Sequence, residues 1–229
     1  MTRNQDIRNQ PAYTVAEAAR YLKLAPAPLR SWVLGRPYPK GAGTARSPAL
    51  IRPAQTRPPM LSFWGLIEAH VLRSLRVDHH VPMDALRRAI RYAERELDID
   101  HLLLRRELCT DAGRLLLERY GELIDLSASG QIAMRRMFNE HLARVVWDEW
   151  QFPVRLYPFT SSNAAGAKHP RVAISASIAF GRPVVVSRGI STSALVQRLD
   201  AGETVQDLAE DYDLTPDEIE EAVLYERAA

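Results

Sequence analysis

The sequence predicts a mainly α-helical fold with small antiparallel β elements, an α+β chain, and three observations lead there. Helix-capping signatures stand near both ends, at Thr14 with Glu17 and at Thr215 with Glu218. A Thr at the cap with Glu three residues on satisfies two of the free amides of a first helical turn. Between them, residues 36–59 carry six prolines, which rule out a helix there. Short β-branched runs, Val172–Ile174 and Val184–Val186, flank a turn and read as paired strands.

Each element follows from local pattern. After Thr14, the residues Val15, Ala18, Ala19 and Leu22 recur at helical spacing. Pro26 suits the first position of a second helix, which turns Leu29, Trp32 and Val33 inward and ends near Gly35. Two short helices around a tight turn form a helix-turn-helix. Leu50–Arg52 and Met60–Leu61 are expected as the strands of a wing with a long tip. Ser62 then caps a helix with Ile67, Val71 and Leu75 on one face. Pro82 opens another, with Leu86, Ile90, Ala93 and Leu97 inward and Arg87, Arg88, Arg91 and Arg95 outward. In the middle, Leu102–Cys109, Arg114–Tyr120 and Leu123–Leu126 read as a small sheet. Gln131–Glu149 is expected as a helix, Val154–Tyr157 as a strand, and Thr160–Lys168 as a linker. Three short helices close the chain, beginning at Ser191 or Thr192, at Thr204 and at Thr215. Their expected core is Leu195, Leu199, Leu208, Ile219 and Val223. The organisation is then a winged helix-turn-helix unit (1–100), a sheet-plus-helix region assigned to dimerisation (101–160), and a C-terminal β-hairpin with a tri-helical unit (170–229).

Charge is distributed unevenly. Residues 1–108 hold 18 Lys/Arg against 10 Asp/Glu, whereas residues 198–229 hold 2 against 11. A basic front half suits a polyanion, and an acidic tail does not. An exposed recognition helix followed by Arg-bearing loops is what major-groove docking with flanking phosphate contacts needs. The DNA-binding candidates are Ala27, Pro28, Arg30 and Ser31 on the second helix, with Arg36, Arg52 and Arg57 beyond it. The acidic tail is better matched to a basic protein partner. Its candidates are Arg182 in the turn before the tail, and Asp207, Glu210 and Asp211.

Other chemistries find little support. Cys109 stands alone, so no internal disulfide forms. The six histidines share no ligand spacing with one another or with Cys109, and no metal or cofactor is expected. Phosphate-binding and nucleophile-elbow motifs are missing, so no enzymatic activity is expected. No stretch approaches a membrane span, and the polar N-terminus lacks a secretory core, which favours the cytoplasm.

Two segments resemble known families. The run Tyr13–Trp32 resembles the winged helix-turn-helix of the MerR-like group at Ala19, Leu22, Pro26, Leu29, Arg30 and Trp32. It departs at Ala25, where a capping Ser is usual, and at Pro28 and Ser31, where Thr and Tyr are common. The runs Ala179–Thr192, Leu199–Tyr212 and Ile219–Tyr225 resemble a small tri-helical domain of unknown function found on bacterial antitoxins. Together they resemble an actinobacterial, mycobacterial-type VapB antitoxin. The resemblance implies a homodimeric autoregulator that binds its own promoter and neutralises a PIN-like ribonuclease toxin. The rivals are a MerR-like regulator sensing a small ligand, and a metal-dependent nuclease using the tail carboxylates.

Overall fold

The computed structural model describes residues 6–41, 43–78, 83, 87, 90, 101–104, 143–158 and 170–228. The fold is α+β, as the capping and strand patterns predict. Strand β1 (Tyr13–Thr14) leads into helix α1 (Val15–Tyr21), and Pro26–Leu34 forms α2. Thr14 and Glu17 make the predicted capping box, with the Thr14 amide donating to the Glu17 carboxylate at 2.9 Å. Ala25, at the cap of α2, offers no side-chain acceptor, and Pro26 at the first position removes one of the amides that would need it.

The wing differs from the expected one. Its hairpin pairs β2 (Pro37–Lys40) with β3 (Gly43–Arg46). Leu50–Arg52 is not a strand, because the amides of Leu50 and Ile51 both donate to the Trp32 carbonyl, at 2.7 and 3.1 Å. A ladder would need those donors. The loop instead closes the C-terminal end of α2 and drops Ile51 into the core. Strands β4 (Gln55–Thr56) and β5 (Pro59–Leu61) form a second hairpin, and β5 also pairs with β1.

Helix α3 (Phe63–Arg73) is capped by Ser62, whose Oγ accepts from the Gly65 amide at 3.1 Å. Residues Phe63–Leu72 are all buried, so the helix is central rather than one-sided. Of the helix expected after Pro82, Met83, Arg87 and Ile90 are helical. Ile90 is buried as expected, and Arg87, half-buried, donates its guanidinium to the Pro48 carbonyl at the surface. Most of that helix, Cys109, the strands expected within 105–126 and the linker lie outside the described residues.

Two expectations for the middle are corrected. Leu102–Leu104 is a short 3-10 turn, not the start of a strand. Val145–Trp147 is strand β6, not the end of a helix from Gln131, and pairs antiparallel with β7 (Pro153–Leu156). Two valines and a tryptophan suit a strand. The Asp148 carboxylate then makes the turn, accepting from the amides of Trp150 at 3.0 Å and Phe152 at 2.8 Å.

The same carboxylate reaches back to the N-terminus. Arg8 donates to Asp148 at 2.6 Å and to Asp6, and lies over the stacked rings of Trp64 and Phe152, 5.8 and 5.6 Å from their centroids. Burial pushes the Asp148 carboxyl up, but the Arg8 and amide hydrogen bonds outweigh it and hold it below its ordinary value. A lowered folded-state pKa favours the folded state above the unfolded value and ceases to as pH falls through the folded one. Asp148→Asn should therefore lower the thermal midpoint at neutral pH, with the gap to wild type closing as pH drops below the ordinary carboxylate range. A gap independent of pH would assign Asp148's role to the neutral turn geometry alone.

The C-terminal region builds a three-stranded sheet in the order β10–β9–β8, from β8 (Val172–Ala173), β9 (Val184–Val185) and β10 (Ile190–Ser191). Helices α4 (Thr192–Asp200), α5 (Val205–Tyr212) and α6 (Pro216–Arg227) follow at the predicted starts. Their core holds Leu195, Leu208, Leu214, Ile219 and Ala222, with Leu199 packed against it. Val223 is only half-buried, and Tyr225 occupies the buried position on the last turn of α6.

This unit does not stand apart. Ile174 is fully buried in the same core as Leu29, Trp32 and Leu66. It exchanges two backbone hydrogen bonds of 2.8 Å with Leu156. Gly181 lies so close to the Tyr13 ring that a Cβ there would collide with the hydroxyl.

Candidate nucleic-acid interface

Helix α2 presents its N-terminal turns outward. Ala27, Pro28 and Arg30 are exposed, while Leu29, Trp32 and Val33 are buried. Ala27, Arg30 and Ser31 fall three and four residues apart and so share one face. Ser31 is half-buried and donates its hydroxyl to the Pro28 carbonyl at 2.8 Å, leaving its oxygen to accept only.

Beyond α2 the chain turns at Gly35 into the hairpin. Its base is pinned by the Ser47 amide on the Arg36 carbonyl at 2.8 Å and the Arg36 amide on Ser47 Oγ at 2.9 Å. Arg36, Tyr38, Lys40 and Arg46 are exposed along it. Arg52 is exposed on the loop that follows, and Arg57 at the tip of the β4–β5 hairpin. Arg52 and Arg57 therefore do not belong to the wing that the sequence suggested. Lys40 and Tyr38 were missed, since an alternation of Pro with Tyr and Lys carries no strand signal.

The electrostatics are one-signed. Residues 18–67 contain eight Lys/Arg and no Asp/Glu. The side chains of Arg30, Arg36, Lys40, Arg46 and Arg57 make no hydrogen bond or ion pair among the described residues. Held on a helix and two hairpins, such free cations favour an anionic polymer.

The acidic tail is the reverse. Asp207 closes the capping box of α5 on Thr204, at 2.9 and 2.7 Å. Asp211 pairs with Arg198 at 2.6 Å, and Arg198 also binds Glu203 and lies over Tyr212. Asp200 pairs with Arg227, Asp213 with Arg188, and Asp217 with Arg171. Of the three acidic candidates, only exposed Glu210 is without a partner among the described residues. Arg182 is exposed beside α1, where its charge acts on Glu17 and Tyr21, and not on α5 with the other three.

Next to Arg182 the sequence reading missed Phe180, which is 92% exposed. Ala179, Phe180 and Gly181 have successive φ values of 48, 55 and 78°. Two non-glycine residues held there store backbone strain of order 1–3 kcal/mol each. No periodicity or charge pattern could have revealed a residue whose orientation depends on that backbone.

Among the described residues, no group of three or more His, Cys, Asp or Glu is placed to hold a metal ion. No described helix is long and apolar enough to cross a membrane.

A two-helix reader with a basic hairpin, joined to a sheet and three-helix unit, defines a winged helix-turn-helix protein with an appended tri-helical unit. A family described as "Putative DNA-binding HTH domain" matches residues 11–90, and a "Protein of unknown function (DUF433)" family matches residues 172–225. The Mycobacterium tuberculosis (strain ATCC 25618 / H37Rv) protein named "Putative antitoxin VapB45" is 30% identical over 233 residues, covering 93% of this chain and 92% of its own. The X-ray crystal structure of Rv2018 from Mycobacterium tuberculosis matches with a TM-score of 0.66 and 25% identity, covering 93% of this chain and 97% of that one. The chain belongs to the VapB antitoxin family that this relative represents.

Proposed function

We propose that this protein is a non-enzymatic antitoxin of a type II toxin–antitoxin pair that binds its own promoter DNA and neutralises a PIN-like ribonuclease toxin. The observation that carries the DNA half is the set of unpaired cations on α2 and the β2–β3 hairpin, in a stretch of fifty residues without a carboxylate. In this reading α2 enters the major groove in a MerR-like manner. Arg30, with Ala27, Pro28 and Ser31 beside it, faces the base edges. Arg36, Arg52 and Arg57 contact phosphates. A homodimer formed through residues 101–160 matches a two-fold operator. The reading places the protein in the cytoplasm, where DNA and toxin meet.

Fluorescence anisotropy with a duplex from upstream of its own gene tests the DNA half. Arg30→Ala should weaken binding by roughly 1–3 kcal/mol and relax discrimination at one base pair. An unchanged affinity in the folded variant would remove Arg30 from the interface.

For the toxin half, the two units divide the work as 1–100 for DNA and 170–229 for the partner. Arg182 and Glu210 remain free to contact it, and Phe180 supplies the large apolar anchor that protein interfaces place at their centre. Asp207 and Asp211 contribute chiefly by holding α5 in place. Phe180→Ala leaves the described core untouched and should reduce co-purification of the adjacent gene's product at least tenfold, about 1.4 kcal/mol or more. Equal recovery of that product would move the inhibitory surface elsewhere.

A further inference from the structure

The turn of the helix-turn-helix is held by the last helix of the chain. Helix α1 ends at Tyr21, and Lys23 takes a left-handed φ of 51° to redirect the chain into α2. The Tyr21 carbonyl lies in the last turn of α1, where helix carbonyls need outside donors. Its donor is the Tyr225 hydroxyl, at 2.9 Å, from α6 and 204 residues along the chain. Tyr225 is fully buried, and the Lys23 ammonium sits 4.1 Å from its ring centroid. One residue on, Glu226 pairs with Arg20 of α1 at 3.5 Å and accepts from Thr192 Oγ1 at 2.6 Å, tying the contact to α4.

We infer that Tyr225 is a positioning residue for DNA recognition: through the Tyr21 carbonyl and the Lys23 ammonium it sets the turn that aims α2. This rests on the DNA-binding reading above. The ring face attracts the cation, and the hydroxyl fixes the end of α1. Both contacts come from the one side chain and engage the residues on either side of Leu22. A recognition helix reads base edges only when its angle to the first helix is held. The C-terminal unit is then part of the DNA-reading machinery as well as a candidate partner surface, and its last helix is the shared component.

The test uses the full chain and two duplexes, one from upstream of its own gene and one of scrambled sequence. Tyr225→Phe keeps the ring and the cation–π contact and removes only the hydroxyl. Lys23→Gly accommodates the left-handed backbone and removes the ammonium together with its four-carbon stem. Each variant should lose about fivefold to tenfold in affinity for the upstream duplex. Binding to the scrambled duplex, and the slope of log affinity against log salt, should not change, because neither group contacts phosphate. Lys23→Arg should restore binding. Backbone amide NMR shifts of residues 22–25 should move in Tyr225→Phe without DNA, which reports the brace independently of DNA reading. Unmoved shifts, or an unchanged preference for the upstream duplex in both variants, would overturn the inference. A slope reduced by about 1 in Lys23→Gly would overturn it for Lys23, making that residue a phosphate contact. Wild-type protein that binds both duplexes equally would overturn the DNA-reading assignment itself.

Discussion

A chain cut after residue 169 is expected to lose its cooperative fold and its DNA binding together. The acidic C-terminal unit reads, by charge alone, as a separable module that DNA binding does not need. The core says otherwise. Ile174 is fully buried among residues of the helix-turn-helix unit, and burying or deleting one such side chain is worth about 2–5 kcal/mol. The cut also removes the two Leu156–Ile174 hydrogen bonds, the Ser175 bond to the Val154 carbonyl, and the Tyr225 donor at the end of α1. Those losses approach the total stability of a typical domain, about 5–15 kcal/mol. Urea unfolding of the truncated chain should show a lowered midpoint or no folded baseline, and the upstream duplex should not be bound. Ile174→Ala offers a milder version in an intact chain. A truncated protein that unfolds at the wild-type midpoint and keeps its affinity would show that the two units are independent.

Gly35→Ala is expected to be the most damaging single substitution in the candidate interface. Gly35 has a φ of 72°, which costs an L-residue about 1–2 kcal/mol. A Cβ would also collide with the Ser47 backbone carbonyl. The obstacle is backbone, so no rotamer change relieves it. Either the Arg36–Ser47 clasp opens or the end of α2 shifts. A stability loss of about 2–4 kcal/mol follows, together with weaker DNA binding, because the same glycine joins the recognition helix to the hairpin. Thermal unfolding and anisotropy measured on one preparation check both parts. A neutral result would mean that the hairpin is not rigidly coupled to α2.

Much of the architecture was legible because it is local. The capping boxes at Thr14, Thr204 and Thr215, Pro26 at the head of α2 and Ser62 at the head of α3 are chemistry within four residues of chain. The elements misread are those where distant donors or acceptors decide. Leu50–Arg52 has strand-like residues, but its amides are taken by Trp32. Val145–Trp147 fits a helical period, but Asp148 closes a turn and β7 supplies a partner strand. The candidate site divides the same way. Arg30 faces outward by helical spacing from Leu29 and Trp32, whereas the true hairpin strands, Lys40 and the strained Phe180 turn needed the three-dimensional chain.

By itself the sequence determined where helices start, which face of α2 is apolar, and that the front of the chain is basic and its tail acidic, since caps, periodicity and charge are properties of neighbouring residues. Only the tertiary structure decided what those charges do. Most tail carboxylates are spent on helix caps and on Arg171, Arg188, Arg198 and Arg227, while Arg30, Arg36, Lys40, Arg46 and Arg57 have no partner among the described residues, because pairing depends on which surfaces meet in space. It also decided that the two ends share one core. The Tyr225 hydroxyl meets the Tyr21 carbonyl across 204 residues of chain, and long-range contacts of that kind leave no periodic trace in the sequence.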